Sequence, residues 1–191
     1  MPATQDERLL TTLKHVAAAL REGDVPFALA GGLAAWARGG PPTEKDIDLL
    51  IREEDGDRAH ATLAAAGFRT EVPPEGWLLK AFDGDVLIDL IFHPSGFVVD
   101  DEMFARCDSL MVHAVHMQVM RTDDILSSKL LSLTEHHLDF APALEIARAL
   151  REQVDWGDVW DRTRESPFAR TFFALLRELE ILDADSSGVT T

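Results

Sequence analysis

The chain has 191 residues, 46% of them hydrophobic, with a net charge of −16 and a sequence pI of about 4.7. That length suits one domain, or one domain with a helical appendage. No apolar run approaches the roughly 20 residues of a membrane span, and a surface this acidic repels a polyanion, because non-specific nucleic-acid binding rests on Lys and Arg neutralising phosphates. The single cysteine, Cys107, excludes an internal disulfide framework and a multi-thiolate metal site. The opening residues MPATQDERLL carry neither a basic n-region nor an apolar h-region, so a secretory signal is not expected and a cytoplasmic location is the default expectation.

In chain order, Leu9, Leu10, Leu13, Val16, Ala17 and Leu20 recur at helical spacing and predict a helix over Gln5 to Arg21, stopped by Gly23. A strand is expected from Val25 to Ala30, with Pro26 near its start. Gly31-Gly32 reads as a turn, Leu33 to Arg38 as a short helix, and Gly39-Gly40-Pro41-Pro42 as its stop. Thr43 to Lys45 lead into a strand from Asp46 to Ile51. Residues Asp55 to Ala66 read as a helix and Phe68 to Val72 as a strand, with Pro73 to Gly76 as a loop. Two apolar runs, Trp77 to Phe82 and Val86 to Phe92, flank Asp83-Gly84-Asp85, a hairpin signal. Beyond them, Asp100 to Arg106 predicts a helical turn and Leu110 to Met120 one or two strands. Helices are expected over Asp123 to Glu135, capped by Thr122, and over Asp139 to Arg151, Asp155 to Thr163 and Pro167 to Leu182. The tail from Asp183 to Thr191 is small and polar and is expected to be disordered. The expectation is an α/β (α+β) fold: a small mixed sheet flanked by helices over residues 1–120, then a helical part over 121–182.

Chemistry concentrates in FALAGGLAAWARGGPPTEKDIDLLI, residues 27–51. A strand alternates its side chains with period two, so Asp46 and Asp48 are expected on one face. Two carboxylates there, among Ile47, Leu49, Leu50 and Ile51, repel each other beside a core and are costly without a cation. The Gly31-Gly32 turn places N–H groups at a helix start, where anions bind. Asp89 adds a lone carboxylate to the run VLIDLIF and needs a partner.

Gly31-Gly32, the spacer Leu33 to Lys45, Asp46-Ile47-Asp48, and Asp89 within Leu87-Ile88-Asp89-Leu90-Ile91 together resemble the DNA polymerase β-type nucleotidyltransferase superfamily over residues 25–93. The stretch Leu126-Ser127-Ser128-Lys129-Leu130-Leu131-Ser132-Leu133, followed by Asp139, is similar to the helical part of minimal bacterial members, including abortive-infection type toxin nucleotidyltransferases. Two departures stand out. Gly32 occupies the place of a serine whose hydroxyl could bind a phosphate, and His136-His137-Leu138-Asp139 replaces a basic Arg-Asp pair, which weakens the toxin reading and any inference of a tRNA substrate.

The resemblance implies a magnesium-dependent transferase. Asp46, Asp48 and Asp89 would be catalytic and would hold two magnesium ions, with Asp89 also helping to deprotonate the acceptor. Gly31, Gly32 and Lys129 would bind the phosphates of a nucleoside triphosphate. The acceptor (a small molecule, a protein or an RNA end) is not identified by these motifs. The competing expectation is a nucleotidyltransferase-like fold without catalysis, acting as a binding or regulatory module such as a toxin–antitoxin component.

Simpler readings stand beside these. Gly31-Gly32 could be a turn alone, Asp46 and Asp48 part of a solvated edge strand, and Asp89 the ion-pair partner of Arg38 or Arg69. Lys129 could be solvated, and Asp139 a helix cap. His136 and His137, being adjacent, point to different faces of a helix, and His113 and His116, three apart in an expected strand, also fall on opposite faces. Cys107 reads as a small core residue. Trp156, Trp160, Phe168, Phe172 and Phe173 read as core of the helical part.

Overall fold

The computed structural model describes residues 5–43, 46–74 and 76–182. The expected lead-in at Glu44-Lys45, the loop residue Glu75 and the tail from Asp183 lie outside the described residues.

Helix α1 (Gln5–Glu22) buries Leu9, Leu13, Val16, Ala17 and Leu20, the stripe that its spacing predicts. Strand β1 is only Ala28–Leu29, shorter than expected. The chain leaves α1 through Asp24 at φ 51, and Pro26 has no N–H to give, so pairing begins late. Helix α2 (Gly31–Ala37) starts at the Gly-Gly pair itself, and strand β2 (Ile47–Leu50) follows. Helix α3 (Gly56–Ala65) leads to β3 (Arg69–Glu71), and the hairpin β4 (Leu78–Asp83) and β5 (Val86–Ile91) forms across the expected Asp-Gly, with Gly84 at φ 61. Helix α4 (Asp101–Arg106) is capped by Asp100, whose carboxylate accepts from the Met103 N–H.

A second hairpin, β6 (Asp108–Val112) and β7 (Val115–Val119), turns at His113-Ala114, both in the left-handed region. His113 is therefore a turn residue and not a strand residue as expected, and the reading of His113 and His116 on opposite strand faces does not apply. Helix α5 (Thr122–Leu131) begins with Thr122 inside it, so the expected Thr122 cap is absent. It also stops short of Glu135. The Ser132 hydroxyl donates to the Lys129 carbonyl and Thr134 accepts from the His137 N–H, local bonds that compete with helix. His136 and His137 thus sit exposed in a turn. Helices α6 (Ala141–Leu150), α7 (Trp156–Thr163) and α8 (Pro167–Glu178) complete the fold. The Asp139 carboxylate accepts from the Ala141 N–H just before α6, and Asp155 caps α7.

The seven strands form one mixed sheet in the order β3-β4-β5-β2-β1-β7-β6. The pairs β2–β5 and β1–β7 are parallel, and the rest are antiparallel. In β2 and β5 the residues Ile47, Leu49, Ile88 and Leu90 are buried, on the face covered by α1 and α3. Each such side chain contributes about 1.5–3 kcal/mol. Period two then turns Asp48 and Asp89 to the other face. On that side α5 meets α2, and α6, α7 and α8 gather around α5. Phe172 and Phe173 are fully buried there, with Trp156 and Trp160 edge-on to Phe173, so the aromatic residues are core. Among the described residues, no helix is long and apolar enough to cross a membrane.

Candidate active site

The site is built by sheet register. Asp48 stands directly opposite Asp89 across the parallel β2–β5 pair, and Lys80 stands opposite Asp89 across the β4–β5 hairpin. One row on one face thus carries Lys80, Asp89 and Asp48. Asp46 lies just before β2 and not within it, contrary to the expected strand, yet its carboxylate still joins the others. Asp46, Asp48 and Asp89 each offer an oxygen, and these oxygens all lie within 4.8 Å of one another. Among the described residues no other group of three potential ligands converges in this way.

The electrostatics of this cluster are strained. Burial pushes the Asp48 carboxyl up to about 7, and Asp46 and Asp89 push it the same way, against the opposing pull of Lys129 and Lys80. Burial also raises Asp89, although its hydrogen bond from Lys80 opposes this and Asp46 adds to it. The Lys80 Nζ stands 3.2 Å from Asp89 Oδ1. The expected alternatives for Asp89 are replaced by this contact. Arg38 instead donates to the carbonyls of Val119 and Met120 and to Asp108, and Arg69 pairs with Glu71 while lying over the Phe82 ring. The cluster remains short of positive charge. An all-oxygen donor set with this deficit suits a hard divalent cation such as magnesium.

Gly31 sits against the cluster. Its φ of +60 favours glycine, and a Cβ there would stand 1.8 Å from Asp48 Oδ2. Helix α2 has Ala30 at its N-cap position, with no side-chain hydrogen bond to its first N–H groups. Asp46, Asp48, Gly32, Thr43 and Lys129 share a cleft of about 630 Å³, closed on its far side by Pro142, Glu145 and Ile146 of α6. That volume suits a small-molecule ligand. A second cavity of about 190 Å³ meets the first at Asp48 and Lys129 and extends under α5 past Ser128 and Ser132. A larger hollow of about 840 Å³ lies between Arg52 and Asp101, away from the carboxylate cluster.

The structure therefore brings Gly32, Asp46, Asp48 and Lys129 to one cleft, with Gly31 lining the adjoining cavity and Asp89 joined to the cluster through Asp48. Asp139 is exposed beyond α5 and does not line it. Cys107 is half-buried, with its thiol pushed up to about 11 by burial and then by Asp124, and it does not line the cleft either. Sequence reasoning missed Lys80, Thr43 and Glu145. Lys80 had a readable signal: a two-residue loop at Gly84-Asp85 fixes Asp83 opposite Val86 and, counting back, Lys80 opposite Asp89. Glu145 had none, because its place depends on how α6 packs.

Solved structures share this fold. The antibiotic-resistance factor ANT(2'')-Ia aligns with a TM-score of 0.60 at 18% identity, over 90% of this chain and 96% of that one. The lincosamide antibiotic adenylyltransferase LnuA, solved with lincomycin bound, aligns with a TM-score of 0.53 at 14% identity, over 74% of this chain and 96% of the other. An antigenic nucleotidyltransferase-like protein from Paracoccidioides brasiliensis aligns with a TM-score of 0.53 at 16% identity, over 90% of this chain and 88% of that one. No curated protein matches the sequence significantly. A family model described as an uncharacterised nucleotidyltransferase matches residues 1–182. With the match spanning nearly its whole length, the chain belongs to that nucleotidyltransferase family.

Proposed function

We propose that the protein transfers a nucleoside monophosphate from a nucleoside triphosphate to a hydroxyl of a small-molecule acceptor, with magnesium. The observation that carries this is the convergence of Asp46, Asp48 and Asp89 within 4.8 Å, with Asp46 and Asp48 on the wall of a cleft that also holds Lys129. Their uncompensated charge fits a divalent cation, which these three residues would hold. Bound there, the ion supplies charge neutralisation and acidifies a nearby hydroxyl.

The chain's own groups divide the remaining work. Lys129 and the backbone at Gly31-Gly32 bind and orient the triphosphate. Asp89, held by Lys80, accepts the acceptor's proton. The acceptor oxygen forms a bond to the α-phosphorus, the bond from that phosphorus to the bridging oxygen breaks, and pyrophosphate leaves with the electron pair. On this reading residues 1–120 supply the carboxylates and residues 121–182 supply Lys129 and the cleft's far wall.

Three features support a small acceptor: the modest cleft, the acidic surface, and the acceptors of structural neighbours. The last are an adenylyl-2''-tobramycin complex of ANT(2'')-Ia and lincomycin on LnuA. An intact, converging acidic trio supports catalysis over a binding module. Incubating the protein with magnesium, each labelled triphosphate and small-molecule fractions of a cell extract, followed by mass spectrometry, tests the reading. The expected product carries one added nucleoside monophosphate. Absence of triphosphate binding at millimolar concentration by calorimetry would overturn it.

A further inference from the structure

We infer that Thr43 binds the triphosphate, supplying from the loop after α2 the hydroxyl that the Gly31-Gly32 turn lacks. This rests on the nucleotidyl-transfer reading and deepens it. Gly31 is explained by its φ and by Asp48, but Gly32 is not: its φ is outside the left-handed region. What keeps position 32 free of a side chain is Thr43. A Cβ on residue 32 would stand 2.8 Å from Thr43 Oγ1 and 3.1 Å from Thr43 Cβ. The Thr43 hydroxyl thus fills the space that a side chain at residue 32 would take.

That hydroxyl lines the cleft shared with Asp46, Asp48 and Lys129. It makes no hydrogen bond to any described residue, and unlike the unpartnered hydroxyls of Thr122 and Ser127 it belongs to a residue that lines this cleft. An O–H donor in the same cleft as the Lys129 ammonium, where the other polar side chains are the carboxylates of Asp46, Asp48 and Glu145, matches a phosphate oxygen. Thr43 also borders a small apolar hollow lined by Leu33 and Trp36, which gives its carbon atoms a packing surface.

The test uses the full chain with magnesium and two probes by calorimetry: inorganic triphosphate, which has no base, and the preferred nucleoside triphosphate. Thr43→Val keeps the shape and removes the hydroxyl. It is expected to weaken both probes by about tenfold or more, the strength of a hydrogen bond to a charged group, with the melting temperature unchanged. Thr43→Ser is expected to bind within about threefold of the parent. The relocation variant Gly32→Ser with Thr43→Ala is expected to recover most of what Thr43→Ala alone loses, because a serine at 32 reaches the vacated space. Wild-type-like affinity in Thr43→Val, or no recovery on relocation, overturns the assignment while leaving nucleotide transfer standing. Failure of the parent protein to bind either probe overturns both.

Discussion

Two groups of aspartates lie on opposite sides of the same electrostatic rule. Asp124 of α5 is fully buried, and it accepts from Arg106 at 2.6 Å and Arg162 at 2.7 Å. Asp158 pairs with Arg162 at 2.8 Å, and Asp123 pairs with Arg121 at 3.3 Å and accepts from the Asp155 N–H. Three carboxylates there meet three guanidinium groups. At the sheet, three carboxylates have one direct partner, Lys80, and neither Asp46 nor Asp48 forms an ion pair with a described residue. The first group is a clamp that ties α5 to α4 and α7. The second keeps a charge deficit that a cation can fill. Acidic clustering alone does not separate the two; the count of cations around each cluster does.

Breaking the open cluster has the largest expected consequence. Asp46→Asn is expected to lower turnover by about a thousandfold or more, roughly 4 kcal/mol of transition-state stabilisation. Its melting temperature should stay within a few degrees, because relief of carboxylate repulsion offsets lost contacts. A collapse of the fold in that variant would make the trio structural. Breaking the closed cluster should do the reverse. Asp124→Ala removes the buried carboxylate that Arg106 and Arg162 share, leaves Asp158 as their remaining partner, and is expected to cost about 2 kcal/mol of stability in urea unfolding. A loss below about 1 kcal/mol would show that the clamp contributes little.

Gly31 sharpens the comparison, because it touches the open cluster through geometry alone. Gly31→Ala forces a left-handed residue and drives a methyl into the Asp48 carboxylate, for a combined cost of about 2 kcal/mol. Magnesium affinity should fall with it, as the ligand is displaced. A variant that loses stability but keeps its magnesium affinity would remove Asp48 from the ligand set.

Much of this was legible in the chain. Ile47, Leu49, Ile88 and Leu90 alternate with Asp48 and Asp89, and strand period alone turns those acids to one face. The Asp-Gly hairpin fixed β4 against β5 and, by register, Lys80 against Asp89. What stayed hidden depended on the third dimension. Thr43 is eleven residues past Gly32 and meets it only because α2 reverses the chain. Glu145 reaches the cleft through the packing of α6. The arginines that neutralise Asp124 come from α4 and α7, and nothing local to Asp123-Asp124 announces them. Local pattern gives faces and registers, whereas charge balance is set by contacts distant in sequence.

The last expected effect is a pH dependence centred on Asp48 of the open cluster; burial raises Asp123 of the closed cluster in the same direction, so the difference between parent and Asp48→Asn is what reads it. In the metal-free fold Asp48 titrates at about 7, against an ordinary value of 3.8. Between those values the folded protein holds a proton that the unfolded chain has released, so stability falls as pH rises from about 4 to about 7 and then levels. One proton allows a slope of at most about 1.4 kcal/mol per pH unit. Asp48→Asn should flatten that contribution and leave the variant more stable than the parent at pH 8. Magnesium should act in the opposite sense. It must displace the proton, so its affinity climbs by up to about tenfold per unit below pH 7 and is steady above. Unfolding by urea at several pH values, with and without magnesium, reads both. A metal-free stability that instead rises from pH 5 to 7 equally in the parent and in Asp48→Asn would place the titrating group elsewhere, and the contrast between the two clusters would then lose its electrostatic basis.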